Sequence, residues 1–147
     1  MGKVKVYLDM DGTLYKWPLV KSVYNPPEMY GKGFFENLEP MEGAIPFVIK
    51  LLQDERVDVW ILTQPIADHA PSYADKVRSV MKHFPQLKDK IIMVQDKSLL
   101  DKGILIDDNE KWNQGKHRFI WFFKWGSTVE RFLNCYIKQE VANGNSI

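Results

Sequence analysis

The sequence predicts an α/β protein built on a mostly parallel sheet, with the strands and helices stacked in three layers. Two observations carry that prediction. Five short runs are rich in β-branched or aromatic residues and apolar almost throughout, as strands covered on both faces must be: 3–8 (KVKVYL), 57–62 (VDVWIL), 90–94 (KIIMV), 103–106 (GILI) and 117–123 (HRFIWFF). Segments of helical period lie between several of them, and strand–helix alternation implies right-handed crossovers and parallel neighbours.

Taken in order, the first strand runs into Asp9. Residues 15–42 then break the rhythm: they are rich in proline, glycine and aromatics, have no period, and suggest a small cap insert over the sheet within a single domain spanning 1–147. Ile45, Val48, Ile49 and Leu52 form the apolar stripe of a first helix, with Pro46 tolerated in its first turn. The second strand follows, then a helix after Pro71 and Ser72 whose stripe is Tyr73, Val77, Val80, Met81 and Phe84. The third and fourth strands come next. The fifth suggests an edge or core strand, or a surface for a second copy of the chain. Val129, Phe132, Leu133, Tyr136 and Ile137 define a last helix, with Ser127 as its cap and Cys135 on its apolar side.

At 147 residues the chain is long enough to bury a core unaided, and its 45% hydrophobic and 27% charged residues are ordinary globular values. A net charge of +1 gives no electrostatic footprint for a nucleic-acid polymer or an anionic membrane. One cysteine excludes an internal disulfide framework and suits a reducing compartment; no apolar run approaches a membrane span. A cytoplasmic location is therefore expected.

In open parallel sheets ligands bind beyond the carboxyl ends of the strands. Here Asp9 and Asp11 follow the first strand, Thr63 the second, Lys97 the third, and Asp107 and Asp108 the fourth. Gathered in one crevice, four acids repel by about 4 kcal/mol per close pair at 4 Å and an effective dielectric near 20. A hard divalent cation removes that cost, and a few carboxylates plus water suit Mg²⁺. Lys97 and the Thr63 hydroxyl supply the charge and donor that hold a phosphate. Asp9 can attack phosphorus, while Asp11 can protonate the leaving oxygen and later deprotonate water. Gly12 permits a tight turn that can aim amides at the phosphate.

These residues resemble a known family. "DMDGT" at 9–13, Thr63, Lys97 and "DD" at 107–108 are similar to the four motifs of the haloacid dehalogenase-like phosphohydrolases. "GFFENLEPMEGA" (33–44), "VWILTQP" (59–65), "DKIIMVQDKS" (89–98) and "ILIDDN" (104–109) resemble the 5′(3′)-deoxyribonucleotidases among them. The resemblance covers residues 4 to 112. It implies a Rossmann-like core and an Mg²⁺-dependent nucleotidase acting on nucleoside monophosphates through an aspartyl phosphate. Asp9 would be the nucleophile and Asp11 the acid/base. Mg²⁺ would be held by Asp9, the Asp11 carbonyl and Asp108, with Asp107 in support, and the phosphate by Thr63, Gln64 and Lys97. The insert looks shorter than the family's cap, and Gln64 stands where Ser is usual.

Other readings compete. A calcium loop fails, because Thr13, Leu14 and Val20 occupy the positions that need an oxygen ligand, Gly and Glu. A phosphatase for another small phosphomonoester such as a sugar phosphate, or a domain that binds a phosphorylated ligand without turnover, would use the same motifs. Tyr15, Trp17, Tyr24, Phe34 and Phe35 could stack a base or form the insert's own core, with Phe34 or Phe35 the candidates for substrate contact. His69, His83 and His117 lack ligand spacing.

Overall fold

The computed structural model describes residues 2–19, 26–100, 102–112 and 117–144. Its strands are β1 (Val4–Leu8), β2 (Val57–Thr63), β3 (Ile91–Met93), β4 (Ile104–Asp107) and β5 (Arg118–Trp121). Its helices are α1 (Ala44–Leu52), α2 (Ala70–His83) and α3 (Ser127–Ala142). All five strands run parallel in the order β3-β2-β1-β4-β5. The chain builds outward from β1 through β2 to β3, then crosses back to lay β4 on the free side of β1. Strand order therefore reverses between β1 and β4, which is where an open α/β sheet forms its crevice.

One face of the sheet presents Val6, Leu8, Val59, Ile61, Ile104 and Ile106, and these share a core with Phe47, Val48 and Leu51 of α1, Val80 of α2, and Val129, Leu133 and Ile137 of α3. Burying aliphatic side chains on that scale is the main favourable term in the fold. On the other face Tyr7, Leu62 and Leu105 are buried among Trp60, Ile92, Val94, Leu100 and Phe119. Leu100 arrives there from the connection after β3, which carries a 3₁₀ turn at Lys97–Leu99; a second such turn, Glu110–Trp112, follows β4. Among the described residues, α1, α2 and α3 contribute no side chain to this second cluster.

The α/β class is as expected, but the helical faces are not. On α1 the buried residues are Ala44, Phe47, Val48 and Leu51, leaving Ile49 and Leu52 exposed. Both stripes have helical spacing, and the large ring decides between them: Phe47 packs on Trp125 with centroids 4.4 Å apart. On α2 the buried face is Ser72, Asp75, Lys76, Ser79 and Val80, while Tyr73 and Met81 point outward. On α3 Phe132 and Cys135 are exposed, and buried Glu140 instead accepts from Arg118 of β5. Gly126 occupies the N-cap position of α3, with no side-chain cap.

The two ends of the insert are tied together. The Lys16 amide donates to the Glu39 carbonyl at 2.8 Å and the Met41 amide to that of Leu14 at 2.7 Å. Within it Trp17, Phe34 and Phe35 pack edge to face or tilted, with centroids 5.0–6.4 Å apart. Tyr24 lies outside the described residues. No helix among the described residues is long and apolar enough to cross a membrane.

Candidate active site

β1 ends at Leu8, and the chain folds back on itself at once. The Thr13 and Tyr15 amides both donate to the Met10 carbonyl, at 3.1 and 3.0 Å, and the Gly12 amide donates to that of Tyr15 at 2.8 Å. Gly12 has φ +84°, and a Cβ there would lie 2.2 Å from Asp108 Oδ2. Glycine is thus required twice, for the left-handed turn and for the approach of the β1 loop to Asp108. Gly12→Ala is expected to push the two loops apart and lower phosphate release about a hundredfold, a cost that a shift of about 1 Å can impose. Steady-state kinetics with a melting curve would separate this from unfolding.

Asp9, buried, receives Lys97 Nζ on Oδ1 at 2.6 Å and the Thr13 hydroxyl on Oδ2 at 3.0 Å. The same ammonium reaches Asp107 Oδ2 at 2.7 Å. Burial raises the Asp9 carboxyl, but the Lys97 charge and hydrogen bond outweigh it and hold Asp9 below the usual carboxylate range. Lys97 is correspondingly raised: burial disfavours its charge, and Asp9 and Asp107 more than restore it. Asp107 goes the other way. Desolvation, then the neighbouring Asp9 charge, push it up to about 8.

Asp9, Asp107 and Asp108 each bring one carboxylate oxygen within 4.8 Å of the other two. Three hard oxygen donors converging, one of them the Asp107 carboxyl that burial and Asp9 push up to about 8, are a good fit for Mg²⁺. The Asp11 carboxylate lies outside this group.

Asp11 is instead engaged by a residue the sequence reading missed. Lys76 of α2, fully buried, donates to Asp11 Oδ2 at 2.5 Å and to the Thr63 hydroxyl at 3.0 Å, and its Nζ sits 4.5 Å from the centre of the Phe35 ring. Desolvation raises the Asp11 carboxyl; Lys76 opposes this and Asp9 adds to it, with the balance upward. Lysine at 76 has no motif to announce it, and it stands one residue from Val77 of the expected apolar stripe. Of the polar residues α2 turns inward, Lys76 reaches this site, while Ser72 accepts from the Ile66 amide and Asp75 pairs with Arg78. Lys76→Met is expected to leave Asp11 without its positioning partner and to reduce turnover by about a hundredfold or more, the usual worth of an acid/base group. Retained binding of inorganic phosphate, measured by calorimetry, would show that the pocket survives.

The remaining candidates fall around these groups. Gln64, half-buried, donates from Nε2 to Gln95 Oε1 at 3.3 Å. Phe35 is buried against Lys76, while Phe34 is half-buried beside Trp17. Trp125, also unanticipated, donates from its indole to the Thr13 carbonyl at 2.9 Å and so braces the β1 loop from α3's side.

A parallel sheet with acids at the ends of two adjacent central strands, and a lysine reaching both from the third, defines a haloacid dehalogenase-type core. The HAD domain of the effector protein Lem4 from Legionella pneumophila, solved as an inactive mutant, shares this fold. Its TM-score is 0.56 over 97% of this chain and 95% of that one, at 14% identity. The chain belongs to the family described as 5′ nucleotidase, deoxy (Pyrimidine), cytosolic type C protein, whose pattern matches residues 6–138. It is 35% identical over 92 residues to the human cytosolic-type 5′(3′)-deoxyribonucleotidase, covering 62% of this chain and 43% of that protein. To the mouse mitochondrial 5′(3′)-deoxyribonucleotidase it is 36% identical over 78 residues, 52% of this chain and 36% of that protein. The chain thus spans less than half the length of these curated relatives.

Proposed function

We infer that the protein hydrolyses phosphomonoesters, with nucleoside monophosphates as substrates. Asp9 attacks phosphorus and forms an aspartyl phosphate as the bond to the leaving oxygen breaks; Asp11 gives that oxygen its proton. Asp11 then takes a proton from the water that cleaves the acyl phosphate, returning Asp9 and releasing inorganic phosphate. The raised Asp11 carboxyl supports this assignment, because an acid/base group works best when tuned towards neutrality.

The Thr63 hydroxyl accepts from Lys76 and so keeps its own proton to donate to a phosphoryl oxygen. Lys97 carries the charge facing the phosphoryl group, the loop at Gly12 shapes the pocket, and Gln64 stands at its rim. Asp9, the Asp11 carbonyl and Asp108, with Asp107 behind them, would hold Mg²⁺. When bound, the ion neutralises charge on the phosphoryl oxygens. Trp17 and Phe34 offer an aromatic wall for a base, Phe35 being taken up by Lys76.

What carries the reading is the buried Asp9–Lys97–Asp107 arrangement at the point where strand order reverses, in a chain of this family. The test is phosphate release from a panel of ribo- and deoxyribonucleoside monophosphates, sugar phosphates and an aryl phosphate with Mg²⁺. Turnover confined to the non-nucleotide esters would reassign the substrate; turnover of none of them would end the reading.

A further inference from the structure

Gln64 directly follows Thr63, at the end of β2, and its amide is hydrogen-bonded to a second amide. Gln95, in the segment that follows β3, donates from Nε2 to the Pro65 carbonyl at 3.0 Å. A carbonyl oxygen can only accept, so the Gln95 amide is fixed with its nitrogen towards Pro65 and its oxygen towards Gln64. That oxygen in turn accepts from Gln64 Nε2 at 3.3 Å. The orientation of the second amide is therefore dictated by the first. Gln64 is left with its carbonyl Oε1 and its second Nε2 hydrogen turned away from Gln95, in a half-buried position next in the chain to Thr63.

The Oε1 acceptor cannot serve a phosphate ligand, whatever the second Nε2 hydrogen does. Phosphoryl oxygens are themselves acceptors and seek N–H or O–H donors. The site already supplies these from Lys97 and the Thr63 hydroxyl. An amide oxygen one residue further along the strand end, oriented by a second amide, is suited instead to a donor on the leaving group.

We propose that the Gln64–Gln95 amide pair is a specificity element that accepts a hydrogen bond from a sugar hydroxyl of the leaving group. Gln64 makes the contact and Gln95 is a positioning residue acting through it. This rests on the nucleoside monophosphate reading above, and extends it from the phosphate to the sugar.

Equilibrium binding tests it without requiring turnover. Dissociation constants for a nucleoside 5′-monophosphate, ribose 5-phosphate and methyl phosphate would be measured by calorimetry with Mg²⁺, in an Asp9→Asn background that prevents hydrolysis. Adding Gln64→Ala should weaken the nucleotide and ribose 5-phosphate about three- to tenfold, the worth of one neutral hydrogen bond, and leave methyl phosphate unchanged. Gln95→Leu should move the same two ligands in the same direction by less. Gln64→Asn, with a shorter reach, should not restore sugar binding. Equal weakening of all three ligands by Gln64→Ala would make Gln64 a phosphate ligand and overturn the proposal. So would no change in any, or a wild-type protein that binds ribose 5-phosphate no better than methyl phosphate. Failure of the hydrolase reading would appear separately, as absent turnover by the wild-type chain.

Discussion

Asp9→Asn protein is expected to release phosphate at no more than about a thousandth of the wild-type rate, in line with loss of a nucleophile from a concerted set of groups. The amide has the shape of the carboxylate but no charge with which to attack phosphorus. The pocket should survive, because Thr13 can still donate to the side-chain oxygen and Lys97 keeps Asp107 as partner at 2.7 Å. Turnover within tenfold of wild type, with an unchanged melting temperature, would show that another group attacks phosphorus.

Lys97→Met should have the largest effect on the fold itself. One buried ammonium is bonded to two buried carboxyl groups, the charged Asp9 and Asp107, and removing one partner of such a set typically costs about 3–5 kcal/mol. That corresponds to a fall in melting temperature of about 10 °C or more for a domain of this size. The effect carries a pH signature from Asp107, whose carboxyl stands at about 8 in the folded chain against an ordinary 3.8. The folded state therefore binds a proton at neutral pH that the unfolded state has given up. Stability from this group is fully present below pH 3.8 and is lost as pH rises through about 8. In chelator, the wild-type melting temperature should fall between pH 6 and pH 9, and Asp107→Asn should flatten that slope. Lys97→Met should steepen it. A slope the same in all three proteins would remove Asp107 as its source.

How much of this was legible beforehand depends on which physical signal each element leaves. β1, β2, β3 and β4 are apolar runs followed by polar residues, and the same feature that marks them as strands marks their ends as a site. Asp9, Lys97, Asp107 and Asp108 were therefore readable together, although Lys97 is 88 positions from the Asp9 it meets. Lys76 was not, because apolar periodicity assumes that a helix buries its greasiest face. α2 does the reverse, turning Lys76 inward against Asp11 and Thr63 and leaving Met81 at the surface. α1 presented two equally apolar stripes one residue apart, and only the tertiary partner of Phe47 chooses between them. The turn at Gly12 was expected, but not its reason, since a glycine in the sequence cannot reveal that Asp108 lies where a methyl group would be.

The order of the strands also bears on how the protein comes into being on the ribosome. Everything up to β3 can assemble from neighbouring stretches as they emerge. β1, however, gains its second flank only when β4 is delivered, and Asp9 and Asp107 share their lysine only then. A nascent chain halted before residue 104 would carry both acids of the first loop with one side of their strand unpaired. The Asp9–Lys97–Asp107 arrangement is therefore complete only once the last central strand has paired, and no earlier fragment of the polypeptide holds all three groups.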